Sequence, residues 1–180
     1  MSPTTTRRAG VETDALEAAI RAIPDPEIPV ISIDDLGIVR GLELLERRGG
    51  DERAVVRVTI TPTYSGCPAM GVITETIEAE VRRAGLTPQV VTRLSPAWTT
   101  DWMSPQGKVS LRRFGIAPPT GRAAVRSEGP VVVDLRVRSV TCPQCGAADT
   151  EELARFGATA CKALRRCLEC REPFEEFKPI

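Results

Sequence analysis

The sequence predicts an α+β domain followed by a second, β-rich unit. Three observations carry this. Up to Gly115, helical stripes and two-residue alternation follow one another; a stretch rich in proline and glycine then interrupts the pattern; two Cys-x-x-Cys pairs lie beyond it.

A chain of 180 residues suits one domain with a small appendage, and the breaks divide it into 1–118, a linker 119–130, and 131–180. With 42% hydrophobic residues and a formal net charge of zero, the chain has no bulk attraction for nucleic acid or membrane. No apolar run approaches the ~20 residues of a spanning helix. Met1–Arg8 has charge but no apolar core, so it reads as a frayed tail on a cytoplasmic protein, not a signal peptide. The chain has no histidine. That removes Ser-His-Asp and Cys-His catalysis, His-ligated zinc hydrolysis and the Glu-x-x-His ligands of di-iron sites. Any metal ligands must be cysteines or carboxylates. Six cysteines in a cytoplasmic chain suggest metal or redox chemistry before disulfides.

Asp14 begins a helix, with Glu17 completing a capping box, and Leu16, Ala19, Ile20 and Ile23 form one face. Pro24, Pro26 and Pro29 then forbid a helix and favour a rigid, extended loop. Asp25, Glu27, Asp34 and Asp35 stand in this otherwise apolar loop. Either they cap its turns, or one or two of them face Cys67 and help to bind a hard or borderline metal. Strands follow at 38–46 and 54–61, joined by a polar turn at 47–52. In the second strand Val56, Val58 and Ile60 alternate with Val55, Arg57 and Thr59, as in a half-buried antiparallel strand. A helix over 70–84 puts Met70, Ile73, Ile77, Val81 and Ala84 in one core stripe, stopped by Gly85; a third strand spans 89–94.

Between second strand and second helix stands Thr61-Pro-Thr-Tyr-Ser-Gly-Cys67-Pro68. Pro68 suits the first helical position, so unpaired N–H groups and the positive end of the helix dipole face the Cys67 sulfur and favour its thiolate. Cys67 is either a ligand or nucleophile, or a small packing residue. Trp98 and Trp102, at i, i+4 spacing, are the only tryptophans. They either complete the core or form an exposed docking patch for a partner. Ser104 and Pro105 start a short helix ending at Gly115.

Val131, Val133, Leu135 and Val137 alternate as a strand. Then come Cys142-Pro-Gln-Cys145 and Cys167-Leu-Glu-Cys170, separated by 21 residues. Two such turns complete a tetrahedral four-thiolate site, and a unit this small relies on the metal for folding energy. A zinc ribbon is the reading; a rubredoxin-like iron site uses the same ligands. Cys161 is left over, as a packing residue or an extra thiol near the ribbon. Basic and acidic residues balance from residue 138 onward, so the ribbon suits protein docking better than nucleic acid.

Asp25-Pro-Glu-Ile-Pro29, Asp35-Leu-Gly-Ile-Val39 and Thr61–Pro68 together resemble the iron–sulfur cluster assembly family that includes SufT-like proteins. Pro96-Ala-Trp-Thr-Thr-Asp-Trp-Met103, Phe156-Gly-Ala-Thr-Ala-Cys-Lys-Ala-Leu164 and the paired Cys-x-x-Cys turns resemble its PaaD (PaaJ) branch, accessory subunits of the ring-1,2-phenylacetyl-CoA epoxidase system. The resemblance implies a small mixed sheet with two or three helices, followed by a β-rich zinc ribbon. It implies a non-catalytic role in maturing or maintaining an iron or iron–sulfur centre of the epoxidase, with its oxygenase and reductase subunits as partners. Cys67 would hold iron or a cluster transiently, supported by Asp25, Glu27 and Asp35; Cys142, Cys145, Cys167 and Cys170 would hold structural zinc. A homodimer is left open. The rivals are a structural adaptor of the epoxidase with Cys67 inert, and a thiol-based redox protein.

Overall fold

The computed structural model describes residues 5–45, 54–120 and 139–180, with residues 5–12 described by backbone alone. Their contacts form two compact units, Met1–Trp98 and Thr99–Ile180.

The first unit is organised by β2 (Val55–Ile60), the middle strand of three. Its alternation is the one the sequence predicts: Val56, Val58 and Ile60 are wholly buried, and the intervening residues are half-buried. Each such side chain, fully withdrawn from water, contributes about 1.5–3 kcal/mol. β1 (Val39–Leu45) pairs with β2 antiparallel, with a bulge between Val39 and Gly41. β3 (Thr87–Thr92) pairs with β2 in parallel, Val58 opposite Val90, which makes the sheet mixed. A parallel pair needs a crossover, and α2 (Ala69–Arg83) supplies it, burying Ala69, Ile73, Ile77 and Val81. Gly85 follows with φ +77, the left-handed stop expected there. Ala84, expected in the stripe, is instead the exposed C-cap. β3 starts two residues earlier than expected and includes Pro88, tolerated because β3 is an edge strand.

α1 runs from Thr5 to Arg21, so the helix does not begin at Asp14. Asp14 lies exposed within it, and Glu17 pairs with Arg21 instead of closing a capping box. Once a helix is nucleated, each further residue adds a hydrogen bond, which outweighs an internal capping signal. The expected frayed tail thus loses residues 5–8 to α1, while 1–4 lie outside the described residues.

The proline-rich loop after α1 is compact where an extended segment was expected. Pro24 and Ser32 form an antiparallel bridge, and the Ile33 N–H donates to the Ile23 carbonyl at 2.9 Å. Ile28, Ile31, Ile33, Leu36 and Ile38 are all buried, which repays the turn-back with apolar area. Trp98 closes the unit: it is 4% exposed and its indole N–H donates to the Leu36 carbonyl at 2.8 Å.

The second unit opens with a single 3₁₀ turn, Thr100–Trp102, and α3 (Pro105–Phe114). Ser104 caps α3 by accepting from the Gly107 N–H at 2.8 Å, and Gly115, φ +97, ends it, as the sequence predicts. A sheet in the order β4-β7-β6-β5 follows, from Ile116–Ala117, Pro173–Phe177, Lys162–Cys167 and Thr150–Ala154. β4 pairs with β7 in parallel; the other pairs are antiparallel. Ala117, Val140, Cys142, Cys167 and Phe174 form a buried cluster. Because β4 belongs to this sheet, the contacts divide the chain after Trp98, whereas the sequence placed a boundary at 118. The strand expected at 131–137 and most of the expected linker lie outside the described residues.

Candidate metal centre and the Cys67 turn

Cys142, Cys145, Cys167 and Cys170 come together, their sulfurs all within 4.8 Å of one another. Cys142 and Cys170 are 3.8 Å apart, Cys145 and Cys167 3.5 Å. Thiolates at ~2.3 Å from a tetrahedral ion stand ~3.8 Å from each other, so the donor set fits a metal without rearrangement. The two turns are built alike. In the first, the Gly146 N–H donates to the Cys142 carbonyl at 3.0 Å and the Cys142 N–H to the Ala147 carbonyl at 2.8 Å. In the second, the Cys167 N–H donates to the Glu172 carbonyl at 3.0 Å. The residue after each second cysteine is left-handed: Gly146 at φ +80 and Arg171 at φ +66. Cys142 and Cys167 are buried; Cys145 and Cys170 are exposed.

Backbone N–H groups prepare this site for thiolate. The Cys170 N–H leads the interactions that bring the Cys167 thiol down to about 7, against the cost of burial. At Cys170 the Glu172 N–H pulls the same way, but the neighbouring thiols of Cys145, Cys167 and Cys142 push it up to about 12. Thiols this close cannot all ionise unaided, and a cation is what allows them to.

In the first unit, Cys67 stands where the sequence places it, one residue before Pro68, the N-cap of α2. Its N–H donates to the Tyr64 carbonyl at 3.2 Å, closing a tight turn. The expected ionisation is overturned. Burial and the charge of Asp25 push the thiol above its ordinary value, outweighing the Ala69 N–H, the Tyr64 hydroxyl and the Met70 N–H that favour thiolate. The donors predicted from the helix start are present, but half-burial next to a carboxylate wins. Tyr64 was not singled out from sequence; its place three residues before Cys67 in a turn was the available signal.

The acidic loop divides. Asp25 is 6% exposed; its carboxylate accepts the N–H groups of Glu27 at 3.0 Å and Ile28 at 2.8 Å while acting on Cys67. It therefore caps the turn, the first of the two readings, and its charge also reaches Cys67. Glu27 is exposed, Asp35 is engaged with the Ser32 hydroxyl at 3.0 Å, and Asp34 pairs with Arg21. Trp98 is in the core and is not presented on a surface; Trp102, half-buried in the 3₁₀ turn, does not share a helical face with it. Cys161 is 8% exposed, with its sulfur 3.0 Å from the Thr159 hydroxyl and outside the four-sulfur group. No helix among the described residues is long and apolar enough to cross a membrane.

A cysteine turn at a helix start over an acidic loop, with a four-thiolate ribbon in the same chain, defines a class. Residues 13–92 match the iron–sulfur cluster assembly protein family, and residues 127–178 match the PaaD zinc beta ribbon domain. The chain is 45% identical over 164 residues to a protein of Escherichia coli (strain K12) named as a putative 1,2-phenylacetyl-CoA epoxidase subunit; the match covers 91% of this chain and 90% of that one. The chain belongs to the same family as that protein. Among solved structures it is similar to the DUF59 domain from Bacillus anthracis, at 26% identity and a TM-score of 0.45 over 57% of this chain and 92% of that one. It is also similar to Rv1466 from Mycobacterium tuberculosis, described as associated with Fe–S complex assembly and repair, at 31% identity and a TM-score of 0.35 over 64% of this chain and 94% of that one.

Proposed function

We propose that this chain is a cytoplasmic, non-catalytic accessory factor that matures or maintains the iron or iron–sulfur centre of a ring-1,2-phenylacetyl-CoA epoxidase. The observation that carries this is the Cys67 turn in a chain of this family: a sulfur met by the N–H groups of Ala69 and Met70 and by the Tyr64 hydroxyl, under the negative charge of Asp25. At rest the thiol keeps its proton. An incoming iron cation reverses the balance, because it offsets the Asp25 charge and stabilises thiolate; Cys–SH plus the cation gives Cys–S⁻–metal and releases one proton. Iron here is cargo. One thiolate with one nearby carboxylate is a sparse ligand set, suited to handing iron on rather than storing it. Glu27 and Asp35 would at most shape the loop.

The ribbon metal is structural zinc, held by Cys142, Cys145, Cys167 and Cys170, and supplies folding energy to the second unit. The partners are the oxygenase and reductase subunits; a homodimer would not change the chemistry at Cys67. A thiol-redox role is disfavoured, since a raised thiol pKa makes a poor nucleophile at neutral pH. That same raised pKa favours the adaptor as the second reading, in which Cys67 only packs.

The experiment is to produce the epoxidase subunits with and without this chain and measure iron in each of them and epoxidase activity. Less iron without the chain, restored by adding it with ferrous iron and reductant, supports maturation. Full iron and activity without the chain would refute it, and a fixed stoichiometric requirement during turnover would favour the adaptor.

A further inference from the structure

The outer face of the first sheet carries a polar recess that Cys67 does not line. Val56, Val58 and Ile60 turn inward, so Arg57, Thr59 and, just beyond the strand, Thr61 turn outward. On β1, Gly41 stands opposite Thr59 and Glu43 opposite Arg57. Directly opposed residues share a face, so Gly41 and Glu43 lie outward too. Gly41 has no side chain, and a Cβ there would meet nothing within 4 Å. The face is therefore hollow at this point. The hollow measures about 270 Å³ and lies wholly within the first unit. Arg40, Gly41, Thr59, Thr61, Arg93 and Ser95 line it.

The backbone directs donors into this hollow. Val39 pairs with Ile60 and Gly41 with Thr59, so Arg40 is the extra residue of a β-bulge, a device that redirects a side chain. A guanidinium nitrogen of Arg40 lies 3.5 Å from the Gly37 carbonyl. Arg93 follows β3, and its N–H donates to the Ile60 carbonyl at 2.8 Å, which fixes it beside Thr61. Arg93 has no ion-pair partner among the described residues, and the hydroxyls of Thr59, Thr61 and Ser95 have no hydrogen-bond partner among them. Thr61 is 3% exposed yet lines the recess, so the little surface it keeps faces inward to the hollow. A hydroxyl this buried is costly to leave without a partner, and a ligand in the recess supplies one. Glu43 bounds the other end, its charge answered by Arg57 at 3.4 Å.

We propose that this recess binds a small oxyanion, a phosphate monoester or a carboxylate, seated over Gly41 and held by Arg93, Arg40 and the hydroxyls of Thr59 and Thr61. A guanidinium only donates, and its fork matches the paired oxygens of phosphate or carboxylate. The hydroxyls beside it add donors that need no charge of their own. The two arginines repel a metal ion. Glu43, two residues along β1 from Gly41 at roughly 7 Å, repels a second anionic group, so the ligand carries its charge at one end. A nucleic-acid strand, charged along its whole length, does not meet that condition. The hollow falls just below the ~300 Å³ lower end of ligand pockets, so the organic body attached to the anion is small. The site needs neither Cys67 nor iron and goes beyond the function proposed above.

The test is an NMR titration of the full-length, metal-loaded chain with glycerol phosphate, inorganic phosphate and acetate, each against sodium chloride at matched ionic strength. Saturable shifts of the Gly41, Thr61 and Arg93 amides are expected with an oxyanion and not with chloride. A response to the phosphates alone assigns the phosphate class, and a response to acetate alone the carboxylate class. Arg93→Gln should weaken binding by roughly tenfold. Thr61→Val keeps the shape of the side chain without its hydroxyl and should also weaken binding. Gly41→Leu fills the hollow without altering any charge and should abolish binding while amides elsewhere keep their positions. Binding that survives Gly41→Leu but falls with Arg93→Gln would reveal diffuse attraction to surface cations and overturn the site. Absence of saturable shifts with all three oxyanions would overturn it as well. Should Gly41→Leu disturb the whole spectrum, Thr61→Val decides: lost affinity supports the recess, and unchanged affinity overturns it.

Discussion

Gly146 and Arg171 occupy the same place in the two Cys-x-x-Cys turns, each one residue past the second cysteine and each left-handed, at φ +80 and φ +66. Only glycine adopts that conformation without cost; other L-residues lose roughly 1–2 kcal/mol. Gly146→Ala should lower stability by about 1 kcal/mol and speed metal loss to a chelator. Arg171→Gly should leave stability unchanged or raise it by up to about 1 kcal/mol, the relief of strain exceeding the entropy glycine brings to the unfolded chain. Thermal unfolding of the metal-loaded variants decides both.

Each of the four ribbon thiolates closes the same site, so Cys142→Ser or Cys170→Ser should release the metal. Loss of metal should expose 139–178 to limited proteolysis while the first unit persists. Metal analysis by mass spectrometry gives the first result and fragment mapping the second. Full metal content with a protease-resistant ribbon in either variant would contradict the four-sulfur site.

The thiol of Cys67 is raised above its ordinary value by burial and by Asp25. The folded chain therefore holds this proton more tightly than the unfolded chain. The stability it contributes is present below the unfolded pKa of about 8.5 and is lost as pH rises through the folded value. Alkylation of Cys67 by iodoacetamide should accordingly be slow at neutral pH and accelerate only at alkaline pH. Asp25→Asn keeps a carbonyl oxygen to cap Glu27 and Ile28 but removes the charge, and should move the alkylation profile to lower pH. An unmoved profile would show that burial alone sets it.

Cys67→Ser is nearly isosteric and should change the melting temperature little. It should abolish the rise in epoxidase iron that the wild-type chain confers in cells lacking it. Equal iron with the serine variant would reduce Cys67 to packing.

Arg165 and Glu176 form a buried pair at 3.1 Å on neighbouring strands. Arg165→Leu alone should cost about 3 kcal/mol or more, because it leaves a buried carboxylate without its cation. Arg165→Leu with Glu176→Leu should cost clearly less. Denaturant unfolding of the metal-loaded chain measures the difference.

The sequence by itself determined the local elements and the ligand chemistry. Alternation in Val55–Ile60, the stripe of α2, the left-handed stops at Gly85 and Gly115, and the four ribbon cysteines are written in short-range spacing, and each was legible there. So was the position of Cys67 ahead of a helix. Tertiary structure decided what spacing cannot carry. The start of α1 depended on helix propagation rather than on a capping signal. Trp98 went into the core, where the Leu36 carbonyl, sixty-two positions away, takes its indole N–H. The membership of β4 in the ribbon sheet came from pairing with β7, far along the chain. The protonation of Cys67 also lay beyond sequence: a helix start predicts thiolate, but the depth of burial and the carboxylate that Asp25 brings from a separate loop reverse the sign. Electrostatic balance depends on distances through space, and residues remote in the chain set those distances.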